Sequence, residues 1–193
     1  MSTEILVNVT TQETRVALVE SGLVQEVFVQ RESRHSLVGH LYKGAVSRPV
    51  PGLQSASVAV GLERTAFLHA HDILPTGDVP IGEEPAIQEL VHEGQEVLVQ
   101  VVKDPLGTKG ARLTTQLSIP SRYLVLLPYS RHVGISARIE DDAERTRLKQ
   151  TLESVIAVEG ATTGFIVRTA GEGASEEALR ADVQFLMKLR DSI

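Results

Sequence analysis

The sequence predicts an α+β fold, mostly β, with a small five-stranded barrel at its centre. Three observations carry this reading. Short apolar runs alternate with polar residues from the N-terminus to about residue 117, glycines punctuate those runs, and helical periodicity appears only beyond residue 118.

The elements follow in order. Residues 5–9, 15–20 and 24–29 are three β-branched runs separated by Thr10-Thr11-Gln12-Glu13 and Glu20-Ser21-Gly22, which predicts an antiparallel meander. The polar stretch 31–35 marks a first boundary. Residues 41–46, 56–60, 65–69, 96–102 and 111–116 then read as five short strands, closed by Gly44, Gly52, Gly61, Gly94, Gly107 and Gly110. Such spacing suits a small barrel better than a sandwich. A long acidic connection over 72–94 holds one helical stretch, 86–92. Beyond Ser118 the texture changes. Residues 123–127 form a buried strand ending at Pro128. Asp141 and Asp142 start a helix whose stripe is Leu148, Leu152, Val155 and Ile156. Residues 164–168 form another strand. Ser175 then caps a last helix that carries Leu179, Val183, Leu186 and Leu189 and is expected to run to Ile193.

Composition narrows the function classes. The chain has 193 residues, 19 Lys+Arg against 25 Asp+Glu (net charge −6) and no cysteine. Disulfides, a Cys nucleophile and thiolate zinc sites are therefore excluded within it. No apolar run approaches the ~18 residues of a membrane span, and no basic leader precedes one, so a cytoplasmic location is expected. Aromatic content is 4%, which argues against a broad, basic, stacking-rich nucleic-acid surface. The acids of the central block gather between Asp72 and Glu96, away from Lys43, Arg48, Arg64, Lys109 and Arg112. That arrangement predicts modest, salt-sensitive binding focused on a few cations.

Two stretches say more than patterning requires. One runs from Gly39 to Ala70 and includes G-H-L-Y-K-G-A-V-S-R-P-V-P-G and E-R-T-A-F-L-H-A. The other, over 101–125, contains V-V-K-D-P-L-G-T-K-G-A-R-L-T-T. With E-I-L-V-N-V-T near the start and H-V-G-I-S-A-R-I-E and G-F-I-V-R-T-A later, they resemble the N-terminal region of the ribonuclease E/G family of endoribonucleases. The resemblance implies three parts. Residues 1–35 would be the leading strands of an RNase H-like subdomain. An OB-fold RNA-binding barrel of the ribosomal S-one type would occupy 36–117, and a 5′-sensor α+β region 118–193.

RNA binding by such a barrel asks for aromatic faces that stack bases and cations that hold phosphates. Tyr42, Lys43, Arg64, Phe67, Lys109 and Arg112 are the candidates. The resemblance implies RNA contacts for Phe67 and Lys109; read without it, Phe67 is plain barrel core. Ser57 and Ala59 stand where the family pattern has Phe and Asp, a departure that removes one stacking platform. Holding a 5′-monophosphate requires a bidentate cation with short-range donors beside it, which Arg168-Thr169 supplies at a strand end. The resemblance implies that Arg168 and Thr169 grip the phosphate, with Val125 acting through its backbone, Ser121 at a variable loop position and Arg138 near the RNA path. A surface salt bridge from Arg168 to Glu172, Glu176 or Glu177 is the alternative.

Other features carry less. His69-x-His71-Asp72 resembles a metal or acid–base cluster, but strand alternation would turn Asp72 away from both histidines. The pairs Glu83-Glu84, Asp141-Asp142 and Glu176-Glu177 read as caps or solvated charge. The family's catalytic Mg²⁺ carboxylates and its Cys-x-x-Cys zinc link correspond to nothing here. No cofactor is therefore expected in this chain, and oligomerisation through the zinc link only in a longer protein. The expected partner is single-stranded RNA with a 5′-monophosphate, bound without cleavage, in an enzyme acting in rRNA maturation and mRNA decay. The chain would be an expressed fragment or a naturally shortened relative. The alternative function is a non-enzymatic adaptor derived from the family.

Overall fold

A computed structural model of the protein describes residues 2–32, 35–74 and 85–193. Two compact units divide the chain, Met1–Leu37 and Val38–Ile193.

The first unit is the expected meander of β1 (Thr3–Val9), β2 (Glu13–Glu20) and β3 (Leu23–Arg31), paired in that order and antiparallel. Its turns follow from local chemistry. The Thr10 hydroxyl accepts from the Glu13 N–H at 3.0 Å, closing the first turn. Ser21 and Gly22 both take positive φ (50° and 81°), matching the right-handed strand twist in a two-residue hairpin. Apolar side chains such as Ile5, Leu6, Val27 and Phe28 remain exposed, and Val19 is buried.

In the second unit, β4 (Leu41–Val50), β5 (Ser55–Ala59), β6 (Ala66–His69), β7 (Glu96–Lys103) and β8 (Arg112–Thr114) close a barrel in the order β4-β5-β6-β8-β7. Only β6 and β8 run parallel. This is a five-stranded barrel of OB type. Alternation decides what it buries: Ala66 and Leu68 point inward and are fully buried, while Phe67 and His69 point outward and are half-buried. The helical stretch between β6 and β7 is the single turn α1 (Ile87–Leu90), which places Ile87 and Val91 in the core. Strand β4 runs past the expected end at residue 46 to Val50, bending at a bulge between Val46 and Arg48 that re-registers it against β5. Strand β8 is shorter than expected.

Beyond the barrel, β9 (Ile119–Pro120), β10 (Leu124–Leu127), β11 (Val133–Ile135) and β12 (Gly164–Val167) form a sheet in the order β11-β12-β10-β9. Strand β11 is not apparent from patterning, because it has three residues, contains Gly134 and pairs parallel with β12. Helix α2 (Asp142–Glu159) is capped by Asp141, whose side chain accepts from the Ala143 N–H at 2.9 Å, and ends at left-handed Gly160. Helix α3 (Glu176–Asp191) is capped by Ser175 and stops two residues before Ile193. Leu148, Leu152, Phe165, Leu179 and Leu186 are fully buried in one core, and Leu41 from the barrel packs against it. Gln100, itself buried, donates to the Gly39 and Ser118 carbonyls (3.0 and 2.8 Å) and accepts from the Ser118 N–H, bolting barrel entry to barrel exit. Among the described residues, no helix is long and apolar enough to cross a membrane.

Candidate nucleic-acid interface

Strand β12 runs out at Val167, and Arg168-Thr169 opens a single 3-10 turn. The backbone N–H of Arg168 donates to the Tyr123 carbonyl at 2.8 Å, and its guanidinium donates to the Ser121 carbonyl. Those bonds hold the guanidinium against the segment entering β10. The hydroxyls of Thr169 and Ser136 lie 3.2 Å apart, and Ser136 is pinned by its own N–H to the Val167 carbonyl at 2.8 Å. Ser136, Arg138, Ile166, Val167, Arg168, Thr169 and Ala170 line one open cavity of about 490 Å³. Both arginines there are exposed. Two cations and two hydroxyls on one wall form an anion-binding chemistry. The salt-bridge alternative for Arg168 does not form: among the described residues Glu172, Glu176 and Glu177 do not pair with it, and Glu176 pairs with Arg180 at 2.5 Å. Val125 lies on β10, paired with Ile166, and does not line the cavity.

The barrel presents a second cationic surface. Cross-strand pairing sets Arg48 beside Ser57, Ser57 beside Phe67, Phe67 beside Arg112 and Arg112 beside Lys103. Residues so paired share a face, so an aromatic ring stands among three cations on the outer wall. Phe67 is therefore not core. It lines a cavity of about 360 Å³ with Leu53, Ser57, His69 and Lys109. Gly110 allows Lys109 to sit there, because a Cβ at Gly110 would overlap the Thr65 carbonyl. Tyr42 and Lys43 lie near the other end of β4, Tyr42 tilted against His40 with ring centroids 6.5 Å apart. Arg64 is exposed in the turn before β6, outside this cavity.

Two sequence expectations fail here. Asp72 does not face away from the histidines, since the strand ends at His69 and Ala70–Asp72 coil into a 3-10 turn. His71 Nε2 consequently lies 3.2 Å from Asp72 Oδ1. The acidic connection also does not stay apart from the cations. Asp72 bonds Arg112 at 2.7 Å, raising the arginine's pKa further, and Glu96 pairs with Lys43 at 2.8 Å. Barrel closure brings the two ends of that connection back onto β8 and β4. Glu83 and Glu84 lie outside the described residues. Asp141 caps α2, and Glu176 and Glu177 fill the first turn of α3, as expected for such pairs. Among the described residues, no three or more His, Cys, Asp or Glu side chains converge as a metal site.

The model of the ribonuclease E/G family matches residues 118–193. The chain is 51% identical to ribonuclease G of Salmonella typhimurium over 98% of its length, and 54% identical to ribonuclease G of Haemophilus influenzae over 96%. Ribonuclease E of Escherichia coli is 42% identical over 97% of the chain. The chain belongs to the ribonuclease E/G family. It spans 39% of the Salmonella ribonuclease G and 18% of the Escherichia coli ribonuclease E.

Within this ribonuclease E/G chain, three supporting groups escaped sequence reasoning. Asp182 is buried on α3, and one of its carboxylate oxygens accepts from the Ser121 hydroxyl at 2.8 Å. Its other oxygen accepts from the N–H groups of Tyr123 and Leu124, at 2.8 and 3.0 Å. It thus holds the same segment whose carbonyls hold Arg168. Arg145 donates to the carbonyls of Ser136 (2.7 Å) and Ile139 (2.9 Å), shaping the loop that carries Arg138. Glu144 accepts from Arg147 at 2.6 and 2.7 Å and from the Gly173 N–H at 2.8 Å, tying α2 to the turn after Thr169. An aspartate on an otherwise apolar helix stripe was the one available signal, for Asp182.

The Glu144 contacts imply a pH dependence. The Arg147 hydrogen bonds, and after them the Gly173 N–H, lower its carboxyl from 4.5 to about 2. A depressed folded-state pKa adds stability that is complete above the unfolded value near 4.5 and is lost as pH falls towards 2. Arg147 is substantially exposed, so solvent screening limits the term to under about 1 kcal/mol. In urea titrations, Glu144→Gln is expected to lower the midpoint at pH 6, with the deficit shrinking steadily between pH 4.5 and pH 2.5. A deficit independent of pH would contradict the linkage.

Proposed function

We propose that this chain is the single-stranded-RNA-binding and 5′-monophosphate-sensing portion of a ribonuclease G-like endoribonuclease, acting in the cytoplasm on rRNA maturation and mRNA decay. The carrying observation is the shared cavity of Arg168, Thr169, Ser136 and Arg138 at the end of β12. A terminal phosphate dianion placed there accepts charge-assisted bonds from the Arg168 guanidinium and neutral ones from the two hydroxyls. The Ser121 carbonyl holds the guanidinium in place before the phosphate arrives. Downstream nucleotides pass Arg138, and the barrel's Phe67 and Lys109 receive a base and a phosphate. The meander, apolar on both faces, fits the leading strands of a larger subdomain. On this reading the chain binds RNA and does not cut it.

The test compares two single-stranded oligoribonucleotides that differ only in a 5′-monophosphate or a 5′-hydroxyl, by fluorescence anisotropy at fixed salt. The chain is expected to prefer the phosphate about tenfold, the worth of one good charge-assisted contact. Arg168→Ala is expected to erase that preference while leaving 5′-hydroxyl binding unchanged. Equal affinity for both ends in the unaltered chain overturns the sensor and favours the adaptor.

A further inference from the structure

We infer that Arg122 stacks on the 5′-terminal nucleobase, so that the chain reads the first base as well as the phosphate before it; the inference rests on the 5′-end reading of the Arg168 cavity. Arg122 and Tyr123 are the two central residues of the tight turn between β9 and β10, which the Ser121 N–H closes by donating to the Leu124 carbonyl at 2.8 Å. Arg168 straddles that turn, bonding the carbonyls on either side of Arg122, those of Ser121 and Tyr123. The 3-10 turn that carries Thr169 packs against it too. A Cβ on Gly171 would lie 3.3 Å from the Tyr123 carbonyl and 3.7 Å from the Tyr123 Cβ. Asp182 holds the turn from inside through the N–H groups of Tyr123 and Leu124, at 2.8 and 3.0 Å. Arg122 is thus carried on a rigid mount that adjoins both phosphate-gripping residues.

The Arg122 guanidinium lies over the Tyr123 ring, 4.9 Å from its centroid. Arg122 is exposed, and among the described residues no carboxylate pairs with it. One side of the group is therefore seated on the ring and the other is open to a ligand. A guanidinium is flat and weakly hydrated, so its open side accepts a nucleobase by stacking, and the ring beneath limits its freedom beforehand. Arg122 does not line the Arg168 cavity, so the terminal phosphate is not its partner. The base is. A 5′-terminal nucleotide carries phosphate and base on one ribose, and a phosphate gripped at Arg168 leaves that base one sugar away, beside the turn that Arg168 straddles. The contact is with a π-face that every base has, which makes Arg122 a reader of base presence rather than of base identity.

The experiment measures anisotropy of single-stranded oligoribonucleotides that differ only at the first residue, which either bears a base or is abasic, each with a 5′-monophosphate or a 5′-hydroxyl. With the phosphate present, the unaltered chain is expected to bind the base-bearing end about fivefold more tightly than the abasic one, the lower end of what one stacked base contributes. Arg122→Ala is expected to bind both ends alike, while its preference for phosphate over hydroxyl on the abasic oligoribonucleotides stays unchanged. Arg122→Lys, which keeps the charge and loses the plane, is expected to match Arg122→Ala. If the unaltered chain prefers the phosphate but ignores the first base, or if Arg122→Ala still favours the base, the inference falls and the 5′-end reading stands. If Arg122→Lys behaves as the unaltered chain, Arg122 acts by charge alone and stacking is overturned. If the unaltered chain shows no phosphate preference on either oligoribonucleotide, the 5′-end reading falls and the inference with it.

Discussion

Asp182→Ala is expected to destabilise the fold by about 3 kcal/mol and, at temperatures where the variant remains folded, to abolish discrimination between 5′ ends. The buried carboxylate accepts three bonds, from the Ser121 hydroxyl and the N–H groups of Tyr123 and Leu124. Leu124 is fully buried, so its N–H has no water to turn to. Leaving such donors unpaired costs about 1–3 kcal/mol each, and the loss is reduced only as far as the segment can relax. Relaxation is what removes function, because the Ser121 and Tyr123 carbonyls anchor Arg168. Asp182→Asn retains one acceptor oxygen and is expected to fall between the two in stability. Chemical denaturation followed by circular dichroism reads the first effect, and paired 5′-phosphate and 5′-hydroxyl anisotropy reads the second. A destabilised variant that kept full phosphate preference would separate Asp182 from the Arg168 cavity.

Gly110→Ala is expected to cost a comparable amount, about 3 kcal/mol, from the upper end of the range for overpacked sites. An added Cβ would overlap the Thr65 carbonyl and press within 3.2 Å of the Ala66 Cα, both backbone atoms that cannot rotate away. The neighbouring bond from the Phe67 N–H to the Ala111 carbonyl, 2.9 Å long, would open with them. That bond joins β6 to the segment entering β8, the barrel's parallel seam. Gly52→Ala supplies the contrast, since its Cβ would meet nothing within 4 Å and its φ is unremarkable. Thermal melts are expected to separate the two variants by several degrees or more. Indistinguishable melting temperatures would show that the seam yields without strain.

Much of the fold was legible because its elements obey local rules. The meander follows from alternation plus Thr10 and Ser21-Gly22, and both long helices follow from their caps at Asp141 and Ser175. Strand β11 was not legible, because a three-residue strand with a central glycine has no periodicity of its own and exists only by pairing with β12. Of the candidate site, Arg168, Thr169 and Arg138 do share a cavity, as the motif resemblance implies. Phe67 and Lys109 share another, whereas Tyr42, Lys43 and Arg64 line neither of these two. Ser136 lies inside the H-V-G-I-S-A-R-I-E motif with nothing of its own to single it out, and Asp182 lies in no motif. Neither has a sequence neighbour that advertises a partner some tens of residues away.

The amino-acid sequence by itself determined the β-rich class, the positions of most strands and caps, and the family to which the chain belongs. These are properties of local periodicity, turn chemistry and motif. Only the tertiary structure decided which charges meet. Closure of the barrel in the order β4-β5-β6-β8-β7 brings Asp72 to Arg112 and Glu96 to Lys43, so two of the cations counted as RNA contacts are already engaged. The same closure lays Phe67 and His69 against two serines and opens the cavity that they line. Strand order and register set those encounters, and no short stretch of sequence encodes either. Pairing energy comes from residues brought together across the fold, not from neighbours along the chain.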